Sequence, residues 1–250
     1  MQVSLQWLRE LVACDLAPDV LAEKLSIAGF EVEEITDLAA RAAGVVVGFV
    51  EQREPHPDAN KLSVCTVSVG ADAPLQIVCG AKNVRAGIHV AVATVGAYLP
   101  AVDLKIKPAE LRGVASSGMI CSLSELGLAD SSDGIVVLEE ALESVPAIGS
   151  PVGPLFGLDD QVLELAITAN RPDGLSMLGI AREVAALTGG TLNLPCAAPV
   201  VSSEALPVGA DVQGRIEDGG LFSLTALSGL KVGPSPRWLQ SRLERAGLRP

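Results

Sequence analysis

A chain of 250 residues has room for one or two domains with a sizeable core, and 49% apolar against 19% charged residues excludes a disordered composition. Its net charge of −12 argues against a general nucleic-acid binder, which carries a basic footprint. Aromatics at 3% leave Leu, Val, Ile and Ala to build the core, and leave few platforms for stacking bases.

No apolar run approaches the roughly 18 to 20 residues that span a bilayer. The opening MQVSLQWLRE is unlike a secretory signal, so the expectation is a cytoplasmic protein with no membrane partner. Five cysteines (14, 65, 79, 121 and 196) are odd in number and form no C-x-x-C pair. Most sit in apolar runs such as "LSVCTV", which predicts buried, reduced thiols.

In chain order, "SLQWLRELV" predicts a helix with Leu5, Leu8, Leu11 and Val12 on one face. "APDVLAEKLSIAGF" predicts a second, opened by Pro18, with Val20, Leu21, Leu25 and Ala28 inward and Gly29 as its stop. "FEVEEI" then alternates as a strand with one wet face. From Gly44 to about Ile148 the reading changes to short strands: "VVVGFVEQ", "LSVCTVSVG", "LQIVCGA", "HVAVATVGAYL" and "ELRGVASSGMICS". Five strands with interior glycines predict a small closed barrel.

Beyond it, "VLELAIT" predicts a strand, and "NRPDGLSMLGIAREVAALTGG" a turn and a helix striped by Met177, Ile180, Val184 and Leu187. Residues 1–38 are too few to bury a core alone. They are therefore expected to join 152–190 in one discontinuous α/β domain, with the barrel (39–151) inserted in it. "PCAAPVVSSEALPVGAD" reads as a linker. A further α+β unit over 200–250 closes on a helix entered through Pro236, with Trp238, Leu239 and Leu243 inward and Gly247 as its stop. That unit starts and does not finish, as in a fragment.

Charge is uneven. Gly44 to Leu128 holds seven basic and seven acidic residues, so the whole −12 comes from the flanks. Within this neutral stretch lies "EPHPDANKL", which contains one of only two histidines. A metal site needs three or four convergent ligands, and His89 has no spacing that brings it here. Two readings remain. In one the segment is a tight turn: Pro57 sets φ, His56 is pushed extended, and Asp58 or Asn60 bonds the local backbone. In the other His56 and Lys61 also touch phosphate at the barrel rim. "KNVRAG" (Lys82, Arg85) and "LKIKPAELRG" (Lys105, Lys107, Arg112) are either a solvated charged face or further phosphate contacts. "SSGMICS", Ser116 to Ser122, has no nearby histidine to activate a nucleophile and reads as a barrel strand.

Seven stretches in order resemble the bacterial phenylalanyl-tRNA synthetase β-chain family: "VSLQWLRELV", "LAEKLSIAGFEVEEI", "GVVVGFVEQREPHPDANKLSVCTVSVG", "LQIVCGAKNVRAGIHVAVATVGAYLP", "LRGVASSGMICSLSELGL", "ITANRPDGLSMLGIAREVAALTG" and "VGPSPRWLQSRLERAGLRP". They cover most of the chain. The resemblance implies an α2β2 heterotetramer that joins phenylalanine to its tRNA with ATP and magnesium, its aminoacylation site in the α chain. It implies that the barrel is an OB-type tRNA-binding module, and that the unit near 200 begins the domain that hydrolyses tyrosine mischarged onto the tRNA. Arg249 matches an arginine of that editing site; the other editing residues would lie beyond Pro250, so no catalytic residue, metal or cofactor is expected in this stretch.

The family's T-P-N-R-P-D-C is here "TANRPDG", with Ala169 and Gly174; N-A-D-K-L is "DANKL"; and Ala17 replaces a capping serine before Pro18. Two other function classes stay open at this point: a free-standing tRNA-binding or assembly protein, and a structural scaffold without RNA contact.

Overall fold

A computed structural model describes residues 1–196, 220 and 229–250; most of the expected linker and of the first part of the α+β unit expected over 200–250 lies outside these residues. The chain opens on a short strand, β1 (Gln2–Ser4), which three residues of sequence do not announce, and passes directly into α1 (Leu5–Leu11). Ser4 caps that helix: its hydroxyl accepts from the Trp7 N–H. Helix α2 (Pro18–Ile27) begins on Pro18 with Ala17 at its cap position, and no side chain caps it. Leu21, Ala22 and Leu25 face inward. Val20, expected inside, is exposed, because the Leu21–Leu25 stripe rotates it off the buried face. Gly29, at φ +93°, ends the turn and leads into β2 (Glu31–Asp37).

A long hairpin follows, β3 (Val45–His56) and β4 (Ala59–Ser68), then β5 (Leu75–Cys79) and β6 (His89–Thr94). Two small hairpins come next, β7 (Tyr98–Leu99) with β8 (Leu104–Lys105), and β9 (Ala109–Leu111) with β10 (Val114–Ser116). After β11 (Gly118–Ile120) come a single helical turn, α3 (Leu138–Ala141), then β12 (Gln161–Ala166), α4 (Met177–Thr188) and α5 (Arg237–Arg245). The run "ELRGVASSGMICS" is thus not one strand. Arg112 at φ +48° and Gly113 at φ +82° fold its first part into a hairpin turn.

Strands β11–β6–β3–β4–β5 form a five-stranded antiparallel sheet. It curls until its edges nearly meet: the Ser117 N–H donates to Gln76 O at 2.8 Å, and the Val78 N–H donates to Ser116 Oγ at 3.1 Å. At Gly48 a Cβ would stand 2.5 Å from Val92 Cγ2 and 3.0 Å from Val67 Cγ1, so the interior glycine permits this closure. One face of the curled sheet buries Val50, Cys65, Val67, Ile77, Val90 and Val92. On its other face Val45, Val47, Ala91 and Ala93 pack with Leu99, Leu138 and Phe156. Burial on both faces explains why β6 and the first half of β3 (45–50) read as continuous apolar runs rather than alternating ones.

A second sheet has the order β1–β12–β2, antiparallel throughout, with Val3 and Ile35 both opposite Leu163. Leu5, Leu8, Phe30, Leu163, Ile180 and Val184 form its core with α1 and α4. The architecture is mixed α+β. In α5 the inward face is Ser241, whose hydroxyl donates to Phe156 O, together with Arg245; Trp238, expected inside, is 63% exposed. Three arginines hold this helix. Arg237 stacks over Phe156, Arg242 stacks over Trp7 and pairs with Glu10, and Arg245 pairs with buried Asp160.

Burial pushes the Cys65 thiol up to about 11 and Cys121 up to about 12, so neither is a ready thiolate. Ser116 is tied to Gly118 O and to the Val78 N–H. Around Ser116 the "SSGMICS" segment thus seals the sheet edge.

Candidate nucleic-acid interface

The "EPHPDANKL" segment is the turn between β3 and β4, entered through a bulge between Pro55 and His56. The local hydrogen bond comes from an unexpected side chain. Neither Asp58 nor Asn60 closes the turn; the Asp58 N–H donates to His56 Nδ1 at 3.1 Å. His56 Nε2 lies 2.9 Å from the carbonyl oxygen of Leu111, on the β9–β10 hairpin. A backbone N–H can only donate and a carbonyl can only accept, so the ring is the neutral Nε2–H tautomer. With 4% exposure and both nitrogens engaged, His56 has no atom to offer a phosphate directly.

This bond joins the β3–β4 turn to the Leu111 end of the β9–β10 hairpin. Leu111 precedes Arg112, the exposed residue at the tip of its hairpin. Lys61 stands exposed at the start of β4. Cys79, the last residue of β5, pairs with Ser63, so Lys82 follows from the same end of the sheet. Arg53, absent from the candidates read from sequence, is exposed on β3 opposite Cys65. None of Arg53, Lys61, Lys82 and Arg112 is in an ion pair among the described residues. The acids Glu51, Glu54, Asp58 and Glu110 share the region, so the patch is a set of individual cations and not a strongly positive field.

Two other candidates differ. Arg85 pairs with Glu140 at 2.9 Å, both side chains being exposed. Its neighbour Asn83 clamps a distant loop, donating to Ile135 O at 2.8 Å and accepting from the Ile135 N–H at 3.1 Å. Lys105 lies on β8, and its neighbour Ile106 bonds Gly96 and Ala97 just beyond the Thr94 end of β6. That end pairs with the start of β3 at Val45. From there to His56 is eleven residues, or roughly 35 Å of strand. The structure thus groups Lys61, Lys82 and Arg112 but leaves Lys105 toward the opposite end, with Lys107 on the segment leading into β9. Arg249 is exposed four residues beyond Arg245.

The second histidine serves another purpose. The His89 ring lies 2.7 Å from Glu139, whose carboxylate also accepts from the His89 N–H. Burial works against ionisation of Glu139, but these hydrogen bonds win and hold its carboxyl below the usual range. A depressed carboxyl stabilises the fold above its unfolded pKa, and that stability is lost as pH falls through the lower folded value. The α3 amides of Glu140, Ala141 and Leu142 are therefore expected to exchange faster as pH drops below about 4, ahead of those in β3 and β4. Equal protection of α3 at pH 6 and at the acid end would contradict this role for Glu139.

No group of three His, Cys, Asp or Glu side chains arranged to hold a metal occurs among the described residues, and no helix there is long and apolar enough to cross a membrane. Residues 45–146 match a protein family described as "Putative tRNA binding domain". The chain is 60% identical over 249 residues to the phenylalanine–tRNA ligase beta subunit of Parasynechococcus marenigrum, a match covering 99% of this chain and 31% of that protein. It is 61% identical over 249 residues to the same subunit of a Synechococcus species, covering 99% and 30%. With the Prochlorococcus marinus subunit the identity is 59% over 248 residues, covering 99% and 30%. The chain spans about 30% of the length of these curated relatives.

Proposed function

We propose that this chain, a relative of the phenylalanine–tRNA ligase β subunits along its whole length, is the N-terminal tRNA-binding and structural part of such a subunit. On this reading the complete protein works with an α chain as an α2β2 heterotetramer in the cytoplasm, attaching phenylalanine to its tRNA. ATP and magnesium act at the α chain's aminoacylation site. Residues 1–38 and 152–190 form the scaffold domain, 39–151 an OB-type tRNA-binding module, and 200–250 the beginning of an editing domain to which Arg249 belongs. This part alone performs no chemistry.

The observation that carries RNA binding is the group of exposed cations Arg53, Lys61, Lys82 and Arg112, without an ion-pair partner among the described residues, on β3, the start of β4, the loop after β5 and the β9–β10 turn. A guanidinium or ammonium on a hairpin anchored in a packed sheet meets a phosphate without first losing much backbone freedom. Lys105, Lys107 and, once released from Glu140, Arg85 extend the contact along the module. With no aromatic among the four cations, binding is led by phosphate and shape and is weak and salt-sensitive.

Filter binding of tRNA over a salt series tests this. Four phosphate contacts give a slope of log K against log salt of roughly −3 to −4, and each cation replaced by Ala brings the slope about 1 unit closer to zero. A flat slope, or no binding at low salt, leaves the scaffold role alone standing.

A further inference from the structure

We propose that His56 is a positioning residue for RNA binding, acting through the Leu111 carbonyl to hold Arg112 beside Lys61 at a phosphate. This rests on the reading of that end of the sheet as an RNA-binding surface. Three observations carry it. The ring is buried, and its two bonds join segments 55 residues apart, the β3–β4 turn and the β9–β10 hairpin. The hairpin is otherwise short: three residue pairs, Leu111–Val114, Glu110–Ala115 and Ala109–Ser116. Its fixed points, Ser116 bonded by the Val78 N–H and Ala115 bonded by Gln76 Nε2, lie at the end away from the tip. At the tip itself Leu111 is 41% exposed, and the His56 bond ties it to the end of β3. Arg112 directly follows the bonded carbonyl and sits in the left-handed region, so its side-chain direction follows the orientation of that peptide.

The chemistry divides the roles cleanly. His56 Nδ1 accepts from Asp58 and shapes its own turn, while Nε2–H donates to Leu111 and reaches across. No other side-chain type has an acceptor and a donor in this rigid, planar arrangement. Asparagine places an amide oxygen near the Nδ1 position and loses the reach to Leu111. Glutamine extends an amide N–H toward the Nε2 position and gives up the turn bond.

The test is tRNA binding over a salt series with the whole 250-residue chain, comparing wild type, Arg112→Ala, His56→Asn, His56→Gln and the double variant His56→Asn/Arg112→Ala. Arg112→Ala is expected to weaken binding on the order of five- to ten-fold and to move the salt slope about 1 unit toward zero. His56→Asn is expected to do the same, and the double variant no more than either alone, since both remove one contact. His56→Gln is expected to restore part of the affinity, a rescue that a merely structural role would not give. Because Leu111 lies on a hairpin at the surface, 41% exposed, water can replace the lost bond and these variants should fold, and melting temperature verifies it. Hydrogen exchange without RNA supplies a separate readout: the Leu111 and Val114 amides should exchange faster in His56→Asn, and β4 should stay protected. Wild-type affinity and slope in His56→Asn, alongside a weakened Arg112→Ala, overturn the proposal, as does unchanged hairpin exchange. Absence of salt-dependent binding by the wild-type chain overturns the RNA-binding reading instead and leaves the exchange result to judge the coupling.

Discussion

Asp160→Ala is expected to destabilise the protein by about 3–5 kcal/mol, the cost of breaking a buried ion pair by removing one partner. The Asp160 side chain is 1% exposed and accepts from four donors: the Ser4 hydroxyl, the Gln6 and Gln161 N–H groups, and Arg245 Nη1 at 2.9 Å. Alanine leaves the Arg245 guanidinium, itself 14% exposed, without its carboxylate, and leaves the Gln6 and Gln161 N–H groups to find water. It also frees the hydroxyl that caps α1, so the damage reaches β1, α1 and α5 together. For a chain of this size that corresponds to a fall in melting temperature of roughly 6–20 °C. Arg245→Ala should cost less, since Asp160 keeps its three other donors and Arg245 its loss of only Gln6 and Ser241 besides. The double variant should fall short of the sum, by 0.5 kcal/mol or more on the general scale for contacting residues. A melting temperature within about a degree of wild type for Asp160→Ala would show that the network contributes nothing net.

The second large effect runs against the usual rule for helices. Replacing an interior helical glycine by alanine normally stabilises by roughly 0.5–1 kcal/mol. Gly179→Ala in α4 should instead destabilise by about 3 kcal/mol, at the upper end of ordinary overpacking. A Cβ there would stand 1.7 Å from the Asp173 carbonyl oxygen, which is backbone and cannot rotate aside. Moving that carbonyl means moving the turn that carries it, and Arg171 clamps the turn. Its guanidinium holds both carboxylate oxygens of Asp173, bonds Glu183 and the Ala28 carbonyl, and lies 4.0 Å over the Phe30 ring. Thermal unfolding of Gly179→Ala decides the matter: a rise in melting temperature would mean that the turn yields freely.

These two sites show how differently the sequence speaks. "NRPDG" was legible as a turn before a helix, and α4 carries Met177, Ile180 and Val184 on the face expected. Nothing in the string says that Arg171 is wholly engaged in structure, because Phe30, Ala28 and Glu183 meet it only after folding. In α5 the helix was legible but its orientation was not. Trp238 is the most apolar residue of the segment, yet it faces out, since three arginines and Ser241 find specific partners on α1 and around Phe156 and Asp160. The "ELRGVASSGMICS" run shows the limit at the level of elements. Apolar alternation permits one strand, and a positive φ at Arg112 as well as Gly113 is needed to break it.

By itself the sequence determined the kinds of element and most of their order, through residue periodicity and glycine and proline placement. It also marked the cations and the histidine of "EPHPDANKL" as the residues to ask about. Only the tertiary structure decided their parts. Lys61, Lys82 and Arg112 share one end of the sheet, Lys105 stands toward the other, and His56 turns inward to bond the Leu111 carbonyl. The reason is physical. Periodicity is a local property that neighbouring side chains impose on the backbone, whereas the partner of a hydrogen bond 55 residues away is chosen by sheet register and closure, which no local pattern records.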